Sequence, residues 1–203
     1  RKFDAAELFD EIEARSATSM IIVGLAFAAP MLEMLDAHPD RWTLPSLRRI
    51  VSSGVMWSAE NKAGLLQHLP NVVLFDSLGS SEAPGLAGSM SNAADTGKTA
   101  KFAVGANAAV FTEGGVRVEP GSGVRGLLAV GGHTPVGYYK DEAKSAATFR
   151  TFEGQRWSVP GDWATVEADG SVTLLGRGSQ VINTGGEKVF PEEVEEALKR
   201  FPG

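Results

Sequence analysis

Cysteine is absent from this 203-residue chain. Disulfides, thiolate nucleophiles and cysteine-ligated zinc are therefore excluded, and a cytoplasmic location is compatible with the composition. The longest apolar run, Met20 to Pro30, falls short of the roughly 20 residues that a membrane-spanning helix needs. There is also no long run of one charge. Nineteen basic and 25 acidic residues give a net charge of −6, without the clustered basic face of a nucleic-acid footprint, so no nucleic-acid partner is expected. His38, His68 and His133 share no metal-ligand spacing and no nucleophile pattern. The first residues, Arg1-Lys2-Phe3-Asp4-Ala5-Ala6-Glu7, put acids where a signal peptide needs apolar side chains. No internal repeat is present. The missing initiator Met, and an ending at Phe201-Pro202-Gly203 just after a charged helical run, lead to the expectation that the chain is a piece of a longer protein.

What is present is ordinary for a soluble globular protein, with 43% hydrophobic and 22% charged residues. Helical spacing of Ala5, Leu8, Phe9 and Ile12 predicts a first helix over 3–15. The apolar runs at Met20–Val23, Arg49–Ser52 and Asn71–Phe75 read as buried strands. Helices are expected between them, over 28–37 with Pro30 in the first turn, and over 59–69 with Ser58 as N-cap. That alternation implies parallel βαβ units. Residues 83–100, rich in Gly, Ala, Ser and Asn, read as a long loop. From Phe102 to Leu175 the signals are β. Hairpins are expected between Ala109–Phe111 and Val116–Val118 and between Trp163–Val166 and Ser171–Leu174, with a short helix over 141–148. A strand over 180–183 and a helix over 191–200 close the chain. The fold class expected is α/β followed by a small antiparallel β-barrel, with a partial α/β subdomain at 1–100, a barrel-like subdomain at 101–178 and a further segment at 179–203.

Several short segments carry chemistry-bearing residues. Asp76-Ser77-Leu78-Gly79-Ser80-Ser81-Glu82 leaves a strand at the carboxyl end of a parallel sheet, where ligands bind. Its glycine lets backbone approach a phosphate, its hydroxyls can donate, and its carboxylate can hold Mg²⁺; a Gly-Ser turn after a strand is also a common plain turn. Ser53, Gly54 and Val55 end another strand and could equally form a simple turn. Asp162 sits in a Pro-Gly-Asp turn, where Asp is often only a turn-former. Arg177 follows Gly176 at a strand end, where a surface salt bridge is the ordinary reading. Gly126-Leu127-Leu128 and Gly137-Tyr138-Tyr139 read as framework. The acidic run Glu192 to Glu196 fits a helix N-terminus rather than a metal site.

Taken together and in order, these segments resemble the adenylate-forming enzyme superfamily, which includes acyl-CoA ligases, luciferase-like enzymes and peptide-synthetase adenylation domains. The resemblance is carried by Ser52-Ser53-Gly54-Val55-Met56, by Asp76 to Glu82, by Gly137-Tyr138-Tyr139-Lys140-Asp141, by Asp162 and Arg177, and by the run from Ile182 to Pro191. Within the superfamily it is similar to actinobacterial fatty-acyl-CoA ligases, and most to the branch acting on steroid side-chain carboxylates. The expected fold is then part of the N-terminal domain of such an enzyme plus the start of its C-terminal domain.

The resemblance implies ATP, Mg²⁺ and CoA as cofactor and co-substrates, and a carboxylic acid as the other small-molecule partner. It puts Ser81 on a phosphate, Glu82 on Mg²⁺, Asp76 on the adenine amine and Ser53, Gly54, Val55, Ser77, Leu78 and Gly79 around the nucleotide. Leu78 departs from the family's usual aromatic, and Leu127 from its glutamate. Asp162 takes the ribose hydroxyls and Arg177 the ribose and phosphate. Ser179 falls at the interdomain hinge, where Asp or Lys is usual. Gly185 and Gly186 fall in the pantetheine channel, where small residues let the arm pass close to backbone. Gly24, Leu25 and Phe27 fall in the acyl pocket; core packing of Val23–Phe27 is the alternative. The family's upstream phosphate-gripping loop and downstream adenylation lysine have no counterpart within the chain. Two other functions stand beside the ligase: loading a carrier protein instead of CoA, and a non-catalytic binding module.

Overall fold

A computed structural model describes residues 3–54, 58–94, 101–178, 182–183, 188–189 and 194. The chain divides into two compact units, Arg1–Gly79 with Gly88–Thr99, and Ser80–Ala87 with Ala100–Gly203. Among the described residues no helix is long and apolar enough to cross a membrane.

The first unit begins with α1 (Ala5–Arg15). Asp4 caps it by accepting from the N–H groups of Ala6 at 2.9 Å and Glu7 at 3.1 Å, which satisfies donors that have no partner inside a first turn. Its buried residues Ala5, Phe9 and Ile12 lie on one face. Three strands then pair in parallel, β1 (Ser19–Ile22) with β2 (Arg49–Ser53), and β2 with β3 (Val73–Ser80). α2 (Leu25–Ala37) links β1 to β2, and α3 (Ala59–His68) links β2 to β3. The helices bury Met31, Leu35 and Leu65 with Phe9, Trp42, Ile50 and Leu74 in one core. The expected βαβ arrangement is thus present, and Ser58 caps α3 by accepting from Asn61 N–H at 3.2 Å.

Three local expectations are corrected here. α2 starts at Leu25 rather than at 28, so Pro30 lies inside the helix; Gly24, at φ 46°, makes the turn from β1 directly into it. β3 runs on to Ser80 rather than ending near Phe75. The expected loop after Glu82 begins instead with β4 (Ala83–Ser91). Small residues are poor strand formers in isolation, but ladder pairing overrides that preference.

In the second unit, β5 (Lys101–Val104), β6 (Ala108–Phe111), β7 (Gly126–Val130), β8 (Phe149–Phe152), β9 (Gln155–Ser158), β10 (Asp162–Val166) and β11 (Val172–Arg177) pair antiparallel, with α4 (Glu142–Thr148) preceding β8. The ladder runs β5-β11-β10-β7-β9-β8, with β6 on β7. A separate closed barrel is not confirmed: among the described residues the end strands β5 and β8 do not pair. The hairpin of Trp163–Val166 with Ser171–Leu174 is as expected. The one expected for 109–118 is present in short form: Val118 N–H donates to Val110 O and Thr112 N–H to Val116 O, each at 2.8 Å, about an antiparallel bridge of Phe111 with Arg117, while β6 forms its longer ladder with β7. Phe111, Trp157 and Trp163 anchor the unit's core. Short strands β12 (Ile182–Asn183) and β13 (Lys188–Val189) pair antiparallel. The helix expected over 191–200 lies outside the described residues, apart from Val194.

The framework reading of Gly126 has a steric basis. β7 carries β6 along most of its length and meets β10 and β9 at its opposite ends. A Cβ on Gly126 would lie 2.6 Å from the Phe111 carbonyl oxygen and 2.8 Å from Val110 Cγ1. Gly126→Ala should therefore destabilise the chain by about 1–3 kcal/mol. Gly105→Ala, with nothing within 4 Å of the new methyl, should stay within about 0.5 kcal/mol of wild type. Urea unfolding of both variants measures the contrast, and equal stabilities would refute the packing argument.

Candidate functional site

In the first unit the chemistry-bearing residues gather where the parallel strands end. Register sets Ile22 opposite Ser52, Ser52 opposite Asp76, and Ser53 opposite Ser77. Ser52 is buried, and its Oγ accepts from Gly24 N–H at 3.0 Å, tying the β1 exit to β2. Gly24, Ser53 and Gly54 therefore lie at or just past the carboxyl ends of β1 and β2, and Asp76, Ser77, Leu78 and Gly79 lie on the part of β3 beside and beyond the end of β2. Gly24 and Gly54 have positive φ, 46° and 88°, which a side chain would strain. Leu25 is exposed in the first turn of α2, whereas Phe27 packs edge-on against Phe3 at 4.7 Å and joins the core.

Asp76, within β3, is not free. Lys62, on α3, donates from its ammonium to Asp76 Oδ2, and the two side chains are 2% and 14% exposed. Lys62 shares its helix face with buried Leu65 and Leu66. A lysine in an apolar stripe is a sequence signal that could have marked it, since an unpaired buried ammonium is costly.

The second unit brings together Glu82, Asp162 and Arg177, with Ser81 beside Glu82 in the turn before β4. Antiparallel register places Asp162 opposite Arg177, and Arg177 Nε lies 3.8 Å from Asp162 Oδ1, an ion pair without a hydrogen bond. Burial pushes the Asp162 carboxyl up; the Arg177 guanidinium pulls it back, and the Glu82 charge adds to the rise. The Glu82 carboxyl is held below the usual range, chiefly because the Tyr138 hydroxyl donates to it, with Arg177 helping from a distance. The same bond pushes the Tyr138 phenol up. Ser158, fully buried, donates from Oγ to the Glu82 carbonyl at 2.8 Å. The Ser80 side chain, close by, adds a smaller lowering of the Glu82 carboxyl.

Tyr138 and Ser158 were not legible as site residues; Gly137-Tyr138-Tyr139 read as framework. The Tyr138 backbone N–H donates to Ser145 Oγ at 2.8 Å, and its ring packs 5.6 Å from Phe149. α4 therefore supplies the post on which Glu82 is tied. Chemically, the unit offers a half-buried carboxylate able to accept from a vicinal diol, a half-exposed guanidinium suited to phosphate, and an oriented carboxylate. Among the described residues no group of three or more His, Asp or Glu could hold a metal by itself. Val55, Ser179, Gly185 and Gly186 lie outside the described residues.

No protein-family model matches the chain. Among solved structures it is similar to the amide bond synthetase McbA from Marinactinospora thermotolerans, with a TM-score of 0.79 at 23% identity over 99% of this chain and 40% of that one. It is also similar to the O-succinylbenzoate coenzyme A synthetase MenE of Bacillus subtilis in complex with AMP, with a TM-score of 0.75 at 22% identity over 99% of this chain and 40% of that one. The fold is that of the adenylate-forming enzymes. In sequence the chain is 46% identical over 203 residues to the medium/long-chain-fatty-acid–CoA/3-oxocholest-4-en-26-oate–CoA ligase of Mycobacterium marinum, covering 99% of this chain and 36% of that protein. It is 43% identical over 209 residues to the 3-oxocholest-4-en-26-oate–CoA ligase of Rhodococcus rhodochrous, covering 99% of this chain and 37% of that protein. The chain is thus a homologue of fatty-acid and steroid side-chain CoA ligases, and it spans about 36% of the length of the first of these relatives.

The Tyr138–Glu82 bond has a pH signature. A carboxyl held below its unfolded value adds stability above that value, and the contribution is lost as pH falls through the folded one. Tyr138→Phe should cost about 1 kcal/mol at pH 7, a charged hydrogen bond discounted for solvent. The gap should narrow as pH drops below about 4. Urea unfolding at both pH values measures it; a gap independent of pH would show that the bond to the carboxylate is not its source.

Proposed function

We propose that this chain is the part of an ATP-dependent acyl-CoA ligase that holds the ribose, part of the phosphate site and one wall of the acyl pocket. The observation that carries the reading is the Asp162–Arg177 cross-strand pair with Glu82 in the same field. Asp162 accepts from both ribose hydroxyls, which offset its desolvation. Arg177 neutralises phosphate, Ser81 donates to it, and Asp76 accepts from the adenine amine while Ser53, Gly54, Val55, Ser77, Leu78 and Gly79 shape the base and phosphate turns. The donor set fits magnesium: Glu82 is ionised and oriented, and Mg²⁺ needs only one or two carboxylates when substrate phosphates complete its shell. When bound, that ion neutralises developing phosphate charge.

The overall reaction has two parts. A carboxylate attacks the α-phosphorus of ATP, giving acyl-AMP and expelling pyrophosphate. The CoA thiol then attacks the acyl carbonyl, forming the thioester and releasing AMP. Ser179 serves as the hinge between the two arrangements, and Gly185 and Gly186 line the pantetheine path. The names of the relatives support a long or ring-bearing acid, and a cytoplasmic setting suits ATP and CoA. Gly24 and Leu25 form the acyl wall, while Phe27, expected there too, packs against Phe3 and the core; because Gly24 has positive φ, a pocket test belongs at Leu25, 42% exposed.

In the complete enzyme, Asp162→Ala should raise the ATP KM roughly ten- to a hundred-fold, the loss of about 1.5–3 kcal/mol expected for a hydrogen bond to a charged group. Steady-state kinetics with free CoA and with a carrier protein as acceptor would separate the ligase from a carrier-loading enzyme. An unchanged ATP KM would sink the ribose assignment. The 203-residue chain alone should show no acid-dependent ATP–pyrophosphate exchange, since the phosphate-gripping loop and adenylation lysine have no counterpart in it; measurable exchange would contradict that.

A further inference from the structure

Lys62 has no role in any reading so far, yet its position is demanding. Its side chain is 2% exposed, on the face of α3 that also buries Leu65 and Leu66. An ammonium in such a place needs a partner, and Asp76 Oδ2 supplies one. Asp76 stands opposite Ser52 in the parallel register, and Ser52 in turn holds the Gly24 N–H. The pair thus joins the buried face of α3 to a carboxylate on β3 that stands beside the carboxyl end of β2.

We propose that Lys62 is a positioning residue for base selection: by fixing one oxygen of Asp76, it leaves the other as a rigid hydrogen-bond acceptor that takes a purine bearing a 6-amino group and rejects one bearing a 6-oxo group. The proposal rests on the reading above that Asp76 faces the nucleotide base. An untethered carboxylate can rotate about two side-chain torsions and turn away from an unfavourable edge. A tethered one cannot, so it meets a 6-oxo group acceptor to acceptor. A site built to accept from an N–H discriminates against an analogue lacking it much more strongly than an adaptable one does. The effect falls on nucleotide binding, because neither residue touches the reacting phosphorus.

The test compares ATP with inosine triphosphate in the complete enzyme. Lys62→Met should raise the ATP KM about tenfold, act on KM rather than kcat, and shrink the ATP-over-ITP preference in kcat/KM at least tenfold. Because a lone buried carboxylate can impair folding, the double variant Lys62→Met with Asp76→Asn carries the same test with no charge left uncompensated. It should regain thermal stability yet keep the reduced preference, since an untethered amide can present either its carbonyl or its NH₂. Wild-type preference in that double variant, which lacks the carboxylate altogether, would overturn the proposal together with the reading that Asp76 faces the base. The single variant Asp76→Asn separates the two levels. If it leaves the ATP-over-ITP ratio unchanged, Asp76 does not face the base and the underlying reading fails with the proposal. If it shifts the ratio while Lys62→Met does not, only the role of Lys62 is lost.

Discussion

Strand register is the constraint on which each unit's share of the site depends. In the β10–β11 hairpin the turn is closed by Glu167 N–H to Ser171 O at 2.8 Å and Gly170 N–H to Glu167 O at 2.9 Å. From there Val166 pairs with Val172, Thr165 with Thr173, and Ala164 with Leu174. Regular pairing would next set Trp163 opposite Leu175 and Asp162 opposite Gly176. The irregularity between Trp163 and Ala164 instead inserts Leu175 as an extra residue, so Trp163 meets Gly176 and Asp162 meets Arg177. One added residue thus converts a carboxylate facing a glycine into a carboxylate facing a guanidinium. Gly176, at φ 135°, takes the backbone turn that this requires.

The first unit relies on register in a different way. Parallel strands all present their carboxyl ends at one edge, so residues far apart in sequence become neighbours without a contact of their own. Gly24, Ser52 and Asp76 are separated by whole helices, yet pairing of β1, β2 and β3 sets them side by side. Ser52 shows how little it takes to hold that edge: one buried hydroxyl accepts the N–H freed where β1 turns into α2. The sharpness of that turn also explains the early start of α2. With Gly24 at positive φ the chain enters the helix at once, and Phe27 is drawn into contact with Phe3 rather than left at the sheet edge.

How legible each feature was in the sequence follows from how local its cause is. The cap at Ser58 was legible because its side chain satisfies an N–H group only three residues away. The β10–β11 hairpin was legible because its turn lies between its own strands. β4 was not, since its Gly-, Ala- and Ser-rich sequence reads as loop and only ladder partners, here β3 and β5, make it a strand. The short pairing of β6 with 116–118 was legible because its turn is local, whereas the longer ladder of β6 with β7 was not, since β7 follows a stretch of turns. Among site residues, the motif set out Glu82, Asp162 and Arg177, and the structure places these three in one unit. What holds them, namely Tyr138 from the turn before α4, Ser158 from β9 and, for Asp76, Lys62 from α3, belongs to packing between elements and has no motif spacing to announce it.

The charges in the second unit do not balance by themselves. One guanidinium serves two carboxylates, and Glu82 and Asp162 settle the deficit unequally. Glu82 has the Tyr138 hydroxyl and is held down; Asp162 is buried, at 3.8 Å from Arg177, and is pushed up in part by the Glu82 charge. Positive charge brought to Glu82 would remove that part of the rise and make the ionised Asp162 cheaper to keep. Hydroxyl donors brought to Asp162 would offset its desolvation in turn. By linkage, whatever supplies one makes the other bind more tightly, by the same factor in both directions. On the proposed reading, a nucleotide that arrives with its own cation would supply both at once, and the tethered carboxylate and the partly desolvated one beside the same arginine would then bind it as a unit.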